Sequence, residues 1–353
     1  MKWEAIKVAY EGYDKYVRVY KGEFLKWKFE PSKEGDYFYI EAATDNAYIL
    51  FNSSNSIIYN YKNILEYSYN KIKWHKLSSI PKTQTGYIQL PSEGDRIYFR
   101  NVSESIVKNS SSSQTLFASG DKSTNVKIGG DLHTIMFKHT DKIYTLNSYN
   151  FTYLFDNIPT LIDASDLILP ATTLGYRSYC RMFRNCYNLK YAPKQLSVMT
   201  FTNQESCELM FENCYNLLSV PELPATTLGY GCYKSMFKNC TSLNTVPELP
   251  ATTLDEMCYL SMFQGCTSLT KAPELPALTL TDYCYYGMFQ GCSSLNYIKC
   301  LATDISANNS TRNWVYGVPR TGEFVKHPDA TWSSGVNGIP GGWTIIDYDI
   351  ISE

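Results

Sequence analysis

The sequence predicts an α+β chain in three parts: a β-sandwich-like N-terminal module, an α/β solenoid of short repeats, and a C-terminal cap. Three observations predict it. Five copies of one pattern place Met182-Phe183, Met210-Phe211, Met236-Phe237, Met262-Phe263 and Met288-Phe289 at spacings of 28, 26, 26 and 26 residues. Before residue 140 that period is absent, and short runs rich in Tyr, Ile, Val and Phe alternate with turn residues, as the strands of a sandwich do. Near residue 300 the copies stop. The expected divisions are therefore 1–140, 141–300 and 301–353, within a 353-residue chain long enough for two domains or one extended array.

The repeat defines its own type. The intervals of the Met-Phe pairs also relate Cys186, Cys214, Cys240, Cys266 and Cys292, and a period in the twenties with a leucine-anchored strand marks a leucine-rich-type solenoid. A degenerate sixth copy precedes them, because Leu154, Phe155, Asn157, Leu161 and Ala164 sit 28 residues before Met182, Phe183, Asn185, Leu189 and Ala192. Terminal repeats are commonly atypical. In the unit Pro224–Leu249, the Pro and Thr of PATTL suit a helix start. Cys232 and Met236, and Tyr233 and Phe237, are i,i+4 neighbours that predict a short amphipathic helix. Asn185, Asn213, Asn239, Gly265 and Gly291 then read as left-handed stops to that helix. Leu243 and Val246 point inward from a short strand, which Pro247 ends.

Eleven cysteines raise the question of chemistry. Two further apart than about 7 Å between Cα atoms cannot be bridged, and a helical path from Cys232 to Cys240 spans roughly 9–12 Å. Zinc needs four converging ligands, and none of the four histidines lies in the core repeats. The thiols are expected to be reduced and buried as small apolar groups. The first cysteine of the early repeats slips, to Cys180 and Cys207.

Runs such as YFYIEAA, AYILF and RIYFR supply the N-terminal strands, and GGDLH at 129–133 reads as a glycine turn before a strand. Residues 1–35 are either a particle-attachment arm or the first strands of the same sheet. A net charge of −2 with 19% charged residues argues against a nucleic-acid partner. No apolar run approaches the ~20 residues of a membrane span, so no membrane insertion is expected. The start MKWEAIKVAYEGYDKYVRVY lacks the pattern of a secretory signal, giving an expectation of synthesis in the cytoplasm.

No catalytic role or cofactor is expected. His75, His133, His139 and His327 lack a triad-like Ser or Cys context, and no phosphate-cradling loop, HExxH or EF-hand loop appears. The column Asp166, Lys194, Glu222, Glu248, Glu274 follows the repeat strand. Stacking would bring Glu222, Glu248 and Glu274 together as a solvated face or a cation-binding edge. The binding candidates are the variable positions between the two core residues of each strand: Lys190 and Tyr191, Leu218 and Ser219, Asn244 and Thr245, Thr270 and Lys271, Asn296 and Tyr297. Solenoid strands line extended recognition surfaces; ordinary surface variation would give the same pattern.

The units PELPATTLGYGCYKSMFKNCTSLNTV and PELPATTLDEMCYLSMFQGCTSLTKA resemble the BspA-like leucine-rich repeats of gut Bacteroides and their tailed phages and prophages. The ending NWVYGVPRTGEFVKHPDATWSSGVNGIPGGWTI resembles the cap of such arrays. YSYNKIKW followed by GDRIYFRN resembles a β-rich module that often precedes them, so the likeness covers roughly residues 36–346. The early repeats depart from it, QLSVMTFTNQ replacing PELPATTL. The resemblance implies adhesion or recognition without catalytic residues. Two settings are consistent with it. One is a tailed-phage virion component (head decoration, head fibre or tail-associated protein) that contacts other virion proteins or itself, and a host glycan or protein. The other is a bacterial cell-surface adhesin whose leader is missing.

Overall fold

The computed structural model describes residues 18–19, 24–25, 37–50, 63–77, 87–103, 118–119, 124–137, 145–199, 201 and 204–349. The chain divides into two compact units, Met1–Asp36 and Tyr37–Glu353. In the first, β1 (Arg18–Val19) pairs antiparallel with β2 (Phe24–Leu25); the attachment role expected of residues 1–35 otherwise falls outside the described residues.

The second unit begins with two sheets. β3 (Phe38–Ala42), β5 (Leu65–Ser68), β6 (His75–Lys76), β8 (Arg96–Asn101), β10 (Val126–Asp131) and β11 (Leu161–Ile168) form one, in the order β11-β10-β3-β8-β5-β6. β4 (Ala47–Leu50), β7 (Tyr87–Leu90) and β9 (Ala118–Ser119) form the other, with β4 central. Strand alternation buries Phe38, Ile40, Ile97 and Phe99 completely, in one cluster with Ile49 and Leu90 of the smaller sheet. The opposite face of β3 and β8 is polar and self-paired. Arg96 contacts Glu41 at 2.6 Å and lies over the Tyr39 ring, and Arg100 contacts Glu66 at 2.7 Å and lies over Trp74.

β10 joins this module to the repeats. It pairs antiparallel with β3 and parallel with β11, the strand of the first repeat, so one sheet crosses the division expected at residue 140. Gly129 and Gly130 lie inside β10 rather than in a turn before it. A Cβ on Gly129 would run into the Tyr39 ring, and one on Gly130, at φ +76°, into the Tyr37 carbonyl, so close approach explains both glycines.

The repeats contain no α-helix of the kind expected from the i,i+4 pairs. Among the described residues the helix is a single turn, His133–Met136. Each repeat instead carries a ribbon of linked turns in which every fourth residue has positive φ: Arg177, Arg181 and Asn185 in one coil, Gly231, Ser235 and Asn239 in another. Even-numbered residues Ser178 to Cys186 donate their N–H three residues back within the coil, to Gly175, Arg177, Tyr179, Arg181 and Phe183. Odd-numbered residues Arg177 to Asn185 donate to Gln204, Ser206, Glu208, Met210 and Glu212 of the next coil. Every peptide N–H of the ribbon is thus satisfied without a helix. A helix and a four-residue turn repeat place the same residues in register, which is why the spacing misleads. Asn and Gly do occupy left-handed positions, as read from the sequence, but as one of three per ribbon. The positive-φ triplet recurs from Tyr149, Tyr153 and Asn157 to Asn309, Asn313 and Gly317. A further coil therefore lies inside the segment expected to be cap.

Stacking at one coil per step aligns side chains in columns. Phe155, Phe183, Phe211, Phe237, Phe263 and Phe289 stack with ring centres 5.1–5.8 Å apart. The column begins against Phe38, at 6.1 Å, and ends against Trp314, at 6.2 Å. Each buried Phe is worth ~2–3 kcal/mol, and each ring pair adds ~0.5–1.5 kcal/mol. Leu189, Leu217, Leu243, Leu269 and Leu295 form a second, fully buried column. Trp314 closes the array by stacking on Trp332 and donating Nε1–H to the Gly338 carbonyl at 2.8 Å. At this end β12 (Tyr297–Cys300), β13 (Glu323–Lys326) and β14 (Thr344–Asp347) pair in order as parallel strands. No helix among the described residues is long and apolar enough to cross a membrane.

The ribbon makes a prediction about two neighbouring positions. Ser235, at φ 54°, carries a side chain where glycine is favoured, and Ser235→Gly should stabilise by ~0.5–1 kcal/mol. Gly231→Ala, at φ 56° and with Glu205 Cγ 3.2 Å from the new Cβ, should cost ~1 kcal/mol. Urea midpoints that moved together, or not at all, would contradict a ribbon with left-handed residues at both sites.

Candidate recognition face

The short strands that follow the ribbons make one exposed face. Tyr191 bridges in parallel to Asp163 of the preceding coil and Ser219 of the next, and Lys271 bridges to Tyr297. The Lys190 carbonyl accepts from the N–H groups of Leu218 and Ser219, at 2.9 and 3.3 Å, and the Thr270 carbonyl from Asn296, at 2.9 Å. Lys190, Asn244, Thr270 and Asn296 thereby fall in one column, and Tyr191, Thr245, Lys271 and Tyr297 in the next. All eight lie at the surface, Tyr297 half-buried, with Lys271 over its ring at 4.7 Å.

Two members of the face were missed in the sequence. Tyr187 and Tyr215 precede the first core leucine of their strands and stack with ring centres 5.3 Å apart and planes 9° apart. Their equivalents Thr241, Thr267 and Ser293 vary as the other candidates do, and that variation was the available signal. Tyr191 (43% exposed) and Leu218 (42%) are further exposed apolar side chains on the same two coils. The stack ends abruptly: Thr241 Oγ1 donates to the Tyr215 carbonyl at 3.2 Å, and Thr245 Oγ1 to the Leu218 carbonyl at 3.3 Å. The next coil is therefore lower and hydroxylic.

The acidic column does not form a three-carboxylate site. Glu274 is held by Lys299 at 2.9 Å, and Asp166 has Lys194 at 3.9 Å. Among the described residues no group of three or more His, Cys, Asp or Glu could hold a metal. Glu222 and Glu248 remain a like-charge pair, and burial together with the Glu248 carboxylate holds Glu222 above the ordinary carboxylate pKa.

All eleven cysteines are free and buried. Cys186, Cys214, Cys240, Cys266 and Cys292 each donate Sγ–H to the carbonyl of a Phe in the preceding coil, Phe155, Phe183, Phe211, Phe237 and Phe263, at 2.9–3.2 Å. They are hydrogen-bond donors as well as small packing groups. The slipped cysteines also have an explanation. Ser178 and Ser206 occupy the column of Cys232, Cys258 and Cys284, as the inter-coil hydrogen bonds of their carbonyls show. Cys207 stands in the column of Tyr179, Tyr233 and Tyr259, where Phe201 fills the space it leaves, edge-on to Tyr233 at 4.9 Å. Cys180 faces Glu208, Sγ to carboxylate 3.6 Å, and burial followed by that charge pushes its thiol up to about 12. Burial likewise raises Cys186 and Cys292 to about 12.

No family model, curated protein or solved structure matches the chain.

Two outcomes follow from the site's electrostatics. At about pH 8, iodoacetamide should modify none of the eleven thiols in the folded chain and all of them in denaturant, counted by intact mass; thiolates are the reactive form. Because Glu222 is raised in the fold, its ionisation costs stability as pH rises through the carboxylate range. Glu248→Gln should therefore stabilise the fold at neutral pH, by no more than ~0.5 kcal/mol after solvent screening, read as a small rise in melting temperature. That gain should vanish near about pH 3, where Glu222, raised above the ordinary carboxylate value, carries its proton.

Proposed function

We propose that the chain is a non-enzymatic recognition protein, a leucine-rich-type solenoid presenting one face to a glycan or protein on a host surface. The observation that carries this reading is the exposure of Tyr187, Tyr191, Tyr215 and Leu218 on two adjacent coils, with Tyr187 and Tyr215 stacked on each other. Contiguous apolar side chains left in water mark interaction sites, and tyrosine supplies contact area at small entropic cost. We further propose a tailed-phage virion as the setting, with the N-terminal half contacting other virion proteins or a second copy. The likeness of the PELPATTL units to BspA-like arrays supports that setting. The same likeness suits a bacterial surface adhesin, so the two readings separate by location.

Mass spectrometry of purified phage particles should detect the chain; its absence from particles and presence on the bacterial envelope would select the adhesin. In either setting Tyr191→Ala combined with Tyr215→Ala should weaken binding to host cells by about tenfold or more while leaving the melting temperature unchanged. Unchanged cell binding would remove this face from the function.

A further inference from the structure

We infer that the step between the tyrosine-bearing coils and the coil of Thr241 is a binding site for a neutral, extended glycan; the inference rests on the recognition reading above. The step has a wall and a floor of different chemistry. The wall is the Tyr215 ring, backed on one side by Tyr187 at 5.3 Å and flanked on the other by the much smaller Thr241. An upright aromatic face beside a small residue accepts the C–H face of a pyranose, whose hydrogens meet the negative face of the ring.

The floor is made of hydroxyls whose protons are already used. Thr241 and Thr245 donate to carbonyls of the preceding coil, and Thr267 donates to the Thr241 carbonyl at 3.3 Å. A hydroxyl that has spent its proton keeps acceptor lone pairs, so this floor calls for a ligand rich in donors. The exposed Asn244 amide adds both a donor and an acceptor. Sugar hydroxyls meet that demand.

Charge and dimension narrow the class. The floor positions on the coils of Thr241 and Thr267 carry no carboxylate, and their cation, Lys271, lies over Tyr297 at 4.7 Å. An acidic chain would find one cation on this floor, Lys271, and hydroxyl oxygens elsewhere. Neighbouring coils pair as parallel strands, which lie about 4.8 Å apart, and one pyranose ring of an extended chain spans a similar distance. A linear neutral glycan would therefore present one ring per coil across the hydroxylic terrace. A protein partner would require a broader apolar centre than four side chains supply.

The test titrates the full chain by calorimetry with cellohexaose, mannohexaose and chitohexaose, with a hexauronate as the acidic comparison. At least one neutral hexamer should bind, more tightly than its trimer and than the hexauronate. Tyr215→Ala should weaken that binding by about tenfold, and Thr241→Tyr, which would extend the tyrosine stack and fill the step, should abolish it. Both positions are at the surface, and unchanged melting temperatures would exclude misfolding as the cause. Preference for the hexauronate, or binding indifferent to Thr241→Tyr, would overturn the inference. So would failure of all the neutral hexamers; if cells were still bound through Tyr191 and Tyr215, the recognition reading would survive with a protein ligand, whereas loss of both would sink both.

Discussion

Every fourth residue of the ribbon must turn left-handed, and most of the architecture depends on that constraint. Positive φ at Gly231, Ser235 and Asn239 directs alternate N–H groups inward along the coil and outward to the next coil. The outward set fixes the separation and register of neighbouring coils along their whole ribbon. Once that separation is set, identical side chains must lie over one another, and only residues that tolerate self-stacking can occupy a column. Phenylalanine does so as offset parallel rings. Cysteine does so because its thiol reaches the Phe carbonyl of the preceding coil, which alanine would leave with one bond fewer.

A stack held in this way has two ends that cannot satisfy themselves. At the N-terminal end β10 supplies a parallel partner for β11, and Phe38 covers the first ring of the Phe column. The β-rich module is thus a cap by its hydrogen bonding, whatever else its polar face does. At the C-terminal end Trp314 takes the place of a core methionine, with enough surface to cover both the Phe and Tyr columns, at 6.2 Å from Phe289 and from Tyr285.

Much of this was legible in the sequence, and the failures have physical causes. The period, the buried Leu and Phe columns and the left-handed Asn and Gly positions could be read because each is a local property repeated in every coil. The helix was misread because Cys232 and Met236, four apart, share a face in either geometry; what distinguishes the two is positive φ at Ser235 and its equivalents, and serine does not advertise it. The slipped cysteines misled because Cys207 exchanges places with an aromatic, and its compensation, Phe201, lies outside the motif. The joining of β10 to β11 links segments about thirty residues apart that share no pattern. The variable strand positions do lie at the surface, but Tyr187 and Tyr215 sit just outside the two core residues that frame them, so the spacing alone does not point to them.

Near-identical coils pose a problem of register, because a coil could pair with the wrong neighbour at little cost in packing. The outer edge of the ribbon carries an answer in the early repeats. Asp156, Arg184, Glu212 and Lys238 occupy one column and alternate in sign, with Arg184 on Asp156 at 2.9 Å and Lys238 near Glu212 at 3.9 Å. Arg177 with Glu205, and Glu208 with Lys234, repeat the arrangement beside it, at 2.6 and 3.0 Å. Pairing that skipped one coil would set Asp156 against Glu212 and Arg184 against Lys238, so like charges would meet at each step. The Asp156 and Glu208 carboxylates are buried, so desolvation offsets much of what each pair gains, but opposition of like charges penalises the wrong partner. The later coils replace the column with Gln264 and Gln290, which bond to each other at 3.0 Å. The charges thus concentrate where the repeat sequence departs most from its consensus, around QLSVMTFTNQ, and where the same two coils carry the tyrosine patch. Fixing the register of those coils fixes the step on which recognition is proposed to depend.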